Sequence, residues 1–228
     1  MRPRLLDLFC GAGGAGMGYH RAGFDVVGVD IADQMDYPFE FHRADALEYL
    51  AEHGDEFDAI HASPPCTEHS TLTRATAGRN DKTGTADLLA RTIGVLETDP
   101  RPWVVENVMG ARMPTDIVLC GNMFGLRVYR HRRFTIGTAV PLLSVPPHPR
   151  HKVKASRGGD GMTRREAWAA GQNMTVTGDA SKCGAFKGIF GEALGIDWIK
   201  GDGIALAIPP AYTEYIGRQL IEALERAA

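Results

Sequence analysis

The sequence predicts an α/β fold in which a mostly parallel sheet carries helices on both faces. Two observations carry that expectation. Through the first two thirds of the chain, apolar runs of strand length alternate with stretches of helical periodicity, the rhythm of strand–helix–strand units. A glycine-rich turn also stands between the first strand and the first helix, where such sheets hold ligands. With 228 residues, one substantial core is affordable and one domain with an insertion is the natural expectation.

RLLDLF (4–9) reads as the first strand, and GGAGMGYHRAG (13–23) as a turn opening a helix. FDVVGVD (24–30) is a second strand, and FEFHRAD (39–45) contains a short third one. DALEYLAEHG (45–54) follows as a helix, then FDAIHAS (57–63) as a fourth strand. TADLLARTIGVLE (85–97) is helical, and PWVVENV (102–108) is the fifth strand. After RRFTIGT (132–138) the rhythm breaks. Residues 140–187 are rich in Pro, Gly and Lys/Arg, with one short helix expected near 164–170. Helical periodicity returns in IFGEALGID (189–197) and from Pro209 and Pro210 to the end, prolines being suited to a first helical turn. The expected organisation is one domain of residues 1–139 and 188–228, interrupted by a small basic insertion at 140–187.

Composition narrows the class. Hydrophobic residues make up 44% and charged ones 23%, as in ordinary globular proteins, and no eighteen-residue apolar run suggests a membrane span. A cytoplasmic setting is expected, in the protein's own cell or an infected host, because the apolar stretch at the start is too short for a signal peptide. The net charge is −3, yet residues 150–187 hold eight Lys/Arg against Asp160, Glu166 and Asp179. A basic segment on an acidic body suits a polyanionic partner. Four cysteines without a CxxC pair argue against a disulfide framework. His148 and His151 hint at a metal, but no second ligand pair is near in sequence, so none is expected.

Four segments carry chemistry. DLFCGAGGAGMG (7–18) lets backbone approach a cofactor, although nicotinamide and flavin enzymes use similar turns. Asp30 ends the second strand, where it suits a ribose, and Asp45 follows the third, where it suits an adenine amino group; either alone also suits a helix cap. ASPPCTEHS (62–70) places Cys66 behind a rigid Pro-Pro pair at a strand end, a position for attack more than for packing. WVVENV sets Glu106 and Asn107 at the end of the neighbouring strand, where a dry pocket would raise the carboxyl pKa. YRHRRF brings Arg130 and Arg132 to one face of an expected strand, with Arg133 on the other.

Taken in order, DLFCGAGG, SPPC, ENV and RHRRF resemble the DNA cytosine-5 methyltransferase family, and AIPPAYTEYIG (207–217) resembles its last cofactor-side motif. The resemblance covers nearly the whole chain except the insertion and is similar to compact members encoded by phages. It implies a class I S-adenosylmethionine-dependent fold, Rossmann-like, with a seven-stranded, mostly parallel sheet and a target-recognition insertion. It implies Cys66 as the nucleophile at cytosine C6, Glu106 as the acid at N3 and the exocyclic amine, and Arg132 with Arg130 as orienting residues. S-adenosylmethionine would meet Phe9, Gly11, Gly13, Gly14, Asp30, Ile31, Asp45, Ala46, Pro65 and Leu88. Double-stranded DNA would meet Ser70, Arg74, Asn107, Arg164 and Arg165, with a flipped-out base, and residues 67–85 would form a lid. A monomer is expected. Two departures stand out: Val128 occupies a position where the family usually has glutamine, and Ala205–Leu206 one where it often has Gly-Asn. The same chemistry on transfer RNA and a DNA-binding relative without catalysis are the alternatives.

Overall fold

In the computed structural model, residues 2–65, 84–137, 145–153, 155–156, 161–176, 187–200 and 202–227 are described. Strands β1 (Arg4–Leu8), β2 (Asp25–Asp30), β4 (Ala59–Ala62) and β5 (Trp103–Val108) are almost wholly buried, as strands covered on both faces must be. With β3 (Glu40–Arg43), β6 (Ile117–Leu119) and β7 (Arg132–Ile136) they form one seven-stranded sheet in the order β3-β2-β1-β4-β5-β7-β6. The first five strands run parallel, and β7 lies antiparallel to both β5 and β6. The strand order reverses between β1 and β4. Beyond the carboxyl ends of those two strands lies the crevice where open α/β sheets take ligands.

Alternation along each strand feeds two cores. Leu5, Val26, Ala59, Val104 and Phe134 face α1 (Gly14–Ala22) and the last helix of the chain, Pro210–Ala227. Leu6, Leu8, Val27, Ile60 and Val105 face α2 (Ala46–His53) and α3 (Gly84–Leu96). The last helix begins one residue after Pro209, as the prolines predict. It packs very closely on α1: a Cβ at Gly14 would lie 2.4 Å from the Ile208 carbonyl, and one at Gly18 would lie 2.1 Å from Thr213 Oγ1. These two glycines are therefore required by close approach.

The remaining described segments form a third cluster. It joins Val128, Met174 and Val176 to α4 (Arg164–Ala169), α5 (Lys187–Leu194) and Ile196, Ile199, Ile204, Ala205 and Ala207. Two-residue strands β8 (Ala155–Ser156) and β9 (Asn173–Met174) pair in parallel within it. The last helix is α6 in this numbering. Among the described residues, no helix is long and apolar enough to cross a membrane.

Candidate active site

The glycine-rich turn leaves β1 through backbone that most residues avoid: Phe9 has φ 57°, Gly11 50° and Gly13 82°. A non-glycine residue held in that region marks local strain of the kind found at ligand sites. The turn is fixed from β2, because the Asp30 carboxylate accepts the Gly11 N–H at 3.1 Å and the Ala32 N–H at 3.0 Å. A Cβ at Gly11 would meet nothing within 4 Å, so there is open space in front of the turn. Next to Asp30, Ile31 is 73% exposed, an apolar wall at the same sheet edge. Asp45 caps α2 by accepting from Leu47 N and Glu48 N, the bland role that its position allows. Ala46 is buried behind it, Leu88 is half-buried on α3, and Pro65 is exposed at the end of the β4 segment.

Trp198 and Lys200 meet the turn and the segment after β2 from far along the chain. Trp198 Nε1 donates to the Ala12 carbonyl at 3.0 Å, and Lys200 N donates to Asp36 Oδ2 at 3.0 Å. Nothing in the local sequence pattern pointed to these residues; a lone tryptophan reads as core.

A row of buried polar groups crosses the sheet on its α1/α6 face. Asp7 pairs in register with His61, and Glu106 stands further along toward the carboxyl edge. Asp7 is fully buried; the Tyr37 hydroxyl donates to its Oδ2 at 3.1 Å, and the Gly16 backbone N–H also bonds the carboxyl. Burial, together with the negative charge of Asp30 and against the Tyr37 hydrogen bond, raises its pKa to about 8. His61 is held between the Tyr19 hydroxyl at Nδ1 (3.0 Å) and the Ser63 hydroxyl at Nε2 (2.8 Å). Burial lowers its pKa to about 3, so the ring is neutral at physiological pH.

Glu106 is 5% exposed, and burial raises its pKa despite the opposing effects of Arg132, Arg130 and the Ser63 hydroxyl. Arg132 Nε lies 2.8 Å from Glu106 Oε1, an ion pair whose N–H is not well aligned on that oxygen. Among the described residues, Oε1 thus keeps hydrogen-bonding capacity. Asn107 is buried, donates from Nδ2 to the Pro64 carbonyl at 2.9 Å, and accepts the Val108 N–H. Ser63 and Pro64 follow β4 and precede Cys66 in sequence, so the segment after β4 and the end of β5 are bonded together. Cys66, Ser70 and Arg74, together with most of the expected lid, lie outside the described residues.

The arginine pair differs from the sequence expectation. The strand begins only at Arg132, and Arg130 precedes it with φ 32°, so two-residue alternation does not relate them. Arg130 donates instead to the Val176 carbonyl at 3.1 Å and the Ala205 carbonyl at 2.8 Å, bracing the third cluster against the sheet. Arg133 donates to the Ala111 carbonyl. Val128 is buried in the third cluster, bridged to Met174, and Ala205 is buried while Leu206 is 54% exposed. Arg164 lies over the Phe190 ring at 5.1 Å, and Arg165 is exposed.

This sheet order, with one antiparallel strand inserted beside the edge and a glycine turn after β1, is the class I methyltransferase fold. The chain belongs to the C-5 cytosine-specific DNA methylase family, whose model matches residues 3–124. It is 31% identical over 115 residues to the type II methyltransferase M.FnuDI of Fusobacterium nucleatum, covering 47% of this chain and 33% of that protein. It is 24% identical over 193 residues to the type II methyltransferase M.AgeI of Thalassovita gelatinovora, covering 68% of this chain and 44% of that protein. The chain therefore spans less than half the length of both relatives. Among solved structures it resembles one described as a DNA modification methyltransferase encoded within an E. coli prophage. The TM-score there is 0.61 at 16% identity, over 98% of this chain and 99% of that one.

Proposed function

We propose that the chain transfers a methyl group from S-adenosylmethionine to C5 of cytosine in double-stranded DNA. The observation that carries this reading is the buried Glu106, ion-paired to Arg132, on a strand end bonded through Asn107 to the segment that delivers Cys66.

The residues at the glycine turn fit the cofactor. Asp30 uses its carboxylate on two backbone N–H groups and retains acceptor capacity for ribose hydroxyls. Ile31 offers an apolar face for a purine, the space before Gly11 is open, and Trp198 anchors the cover. Phe9, Gly13, Gly14, Asp45, Ala46, Pro65 and Leu88 complete the proposed surroundings. When bound, S-adenosylmethionine supplies an electrophilic methyl group on a sulfonium.

Cytosine C5 is a poor nucleophile. The Cys66 thiolate adds to C6 and pushes electron density to C5. Glu106, whose pKa burial raises, donates a proton to ring N3 and disperses the charge that develops there. Arg132 holds the carboxyl in place, and Arg130 holds the loop on which Arg132 is mounted. Once C5 carries the methyl group, its proton passes to water, the C6–S bond breaks to release the thiolate, and N3 returns its proton to Glu106, restoring the ring. A stacked base cannot reach these groups, so the nucleotide is extruded, at a cost of a few kcal/mol.

The proposed insertion, 140–187, supplies target recognition from a frame of residues 1–139 and 188–228. Its exposed Arg165 contacts phosphate, as do Arg74 and Ser70 of the proposed lid. Bisulfite sequencing of a plasmid from cells expressing the chain tests the reading. Modified cytosines in a fixed sequence context are expected, and their loss in Cys66→Ala. A folded protein that binds the cofactor yet leaves every cytosine unmodified overturns it.

A further inference from the structure

Four side chains outside the catalytic row converge at the edge of the sheet. Cys120 directly follows β6, and His131 directly precedes β7, so the antiparallel pairing of Leu119 with Arg132 brings them side by side. His148 and His151, one helical-turn spacing apart, come from the segment 145–153. One atom from each of the four lies within 4.8 Å of every other. Cys120 Sγ stands 3.4 Å from His151 Nε2, and His131 Nε2 stands 3.1 Å from His148 Nε2. Ordinary zinc–sulfur and zinc–nitrogen bond lengths place neighbouring ligand atoms of a tetrahedral site about 3.3–3.6 Å apart. The 3.4 Å and 3.1 Å spacings lie within a few tenths of an ångström of that edge length, and the other pairs are within 4.8 Å.

The surroundings preorganise the group. Tyr129 stacks on His151 with ring centres 3.8 Å apart, and its hydroxyl donates to the Val153 carbonyl. His131 and His148 lie nearly parallel, at 19°. A buried cysteine ordinarily packs as a small hydrophobe, whereas the Cys120 sulfur faces an imidazole nitrogen. One thiolate and three neutral imidazoles form a closed four-ligand set of the borderline-soft kind that selects zinc, with no position left open for catalysis.

We propose that Cys120, His131, His148 and His151 bind one structural zinc ion. The ion fastens the segment 145–153, at the entrance to the basic insertion, to the two strands at the sheet edge. Because His131 stands between Arg130 and Arg132, the same ion fixes the chain that mounts the Glu106 partner. Sequence spacing hid the site, since its ligands lie in three separated stretches and only His148 and His151 are near one another.

The full chain, without a histidine tag and purified without chelator from zinc-supplemented cells, should carry about one zinc by mass spectrometry of metals. Exchange with Co2+ should give the thiolate charge-transfer band and the intense visible bands of a tetrahedral site. The double variant His148→Ala, His151→Ala alters two exposed side chains and should lower zinc to below about a tenth of an equivalent. Cys120→Ser should abolish the charge-transfer band. Folded wild-type protein with less than about a tenth of an equivalent of zinc and no cobalt charge-transfer band overturns the assignment. So does a double variant that keeps the wild-type zinc content.

Discussion

Asn107 Nδ2 donates to the Pro64 carbonyl at 2.9 Å, tying the end of β5 to the segment that leads to Cys66. Both groups are buried, so the bond cannot be replaced by water without opening the site. Asn107→Leu leaves the Pro64 carbonyl unsatisfied and should cost about 1–3 kcal/mol in denaturant unfolding. Methyl transfer should fall further than stability explains. Unchanged single-turnover rates in a folded variant would show that the link does not position the nucleophile.

Glu106 and Arg132 should separate in a pH profile. Glu106→Gln keeps the shape and loses the proton, and should lower the transfer rate by about 10²–10⁴-fold. Arg132 pulls the Glu106 pKa down against burial. In Arg132→Gln that pull is gone, so the carboxyl stays protonated to higher pH. The alkaline limb of kcat should therefore move upward while its maximum drops. A limb that stays in place would exclude Glu106 as the group titrating there.

Asp7 makes stability depend on pH. Its pKa rises from the ordinary 3.8 to about 8 on folding, chiefly through burial. The folded chain thus holds a proton that the unfolded chain releases. Its contribution is complete below about pH 4, declines as pH rises, and is lost above about pH 8. Asp7→Asn should flatten the decline in unfolding free energy between pH 5 and pH 8 by at least ~2 kcal/mol. An identical slope in the variant would assign the decline to another group.

Two glycines in helices should respond oppositely to alanine. At Gly18 a Cβ would lie 2.1 Å from Thr213 Oγ1 and 2.2 Å from the Pro210 carbonyl, so Gly18→Ala should destabilise by about 1–3 kcal/mol or more. At Gly94 nothing lies within 4 Å, and Gly94→Ala should stabilise by up to about 1 kcal/mol. Thermal melts of the two variants provide the comparison.

Strands β1, β2, β4 and β5 were readable because they are almost wholly buried and their apolar runs end near glycine, proline or acidic residues. The three-residue β6 was not, since so short a run carries no period. Alternation misled at Arg130, where a positive φ breaks the strand before it starts. Cys66 and Glu106 stood out in the sequence because each follows an apolar strand-length run within a recognisable motif. The partners His61, Tyr19 and Trp198 did not, because an isolated histidine, tyrosine or tryptophan looks like any core residue until the fold brings it to a partner.

The Trp198 anchor on Ala12 joins the first twelve residues to a segment made almost two hundred residues later. On the ribosome, β1 and its glycine turn emerge early but stay uncovered until Trp198 and α6 arrive. Covering of the glycine turn is therefore a late event in synthesis, separated from the making of the turn itself by most of the chain.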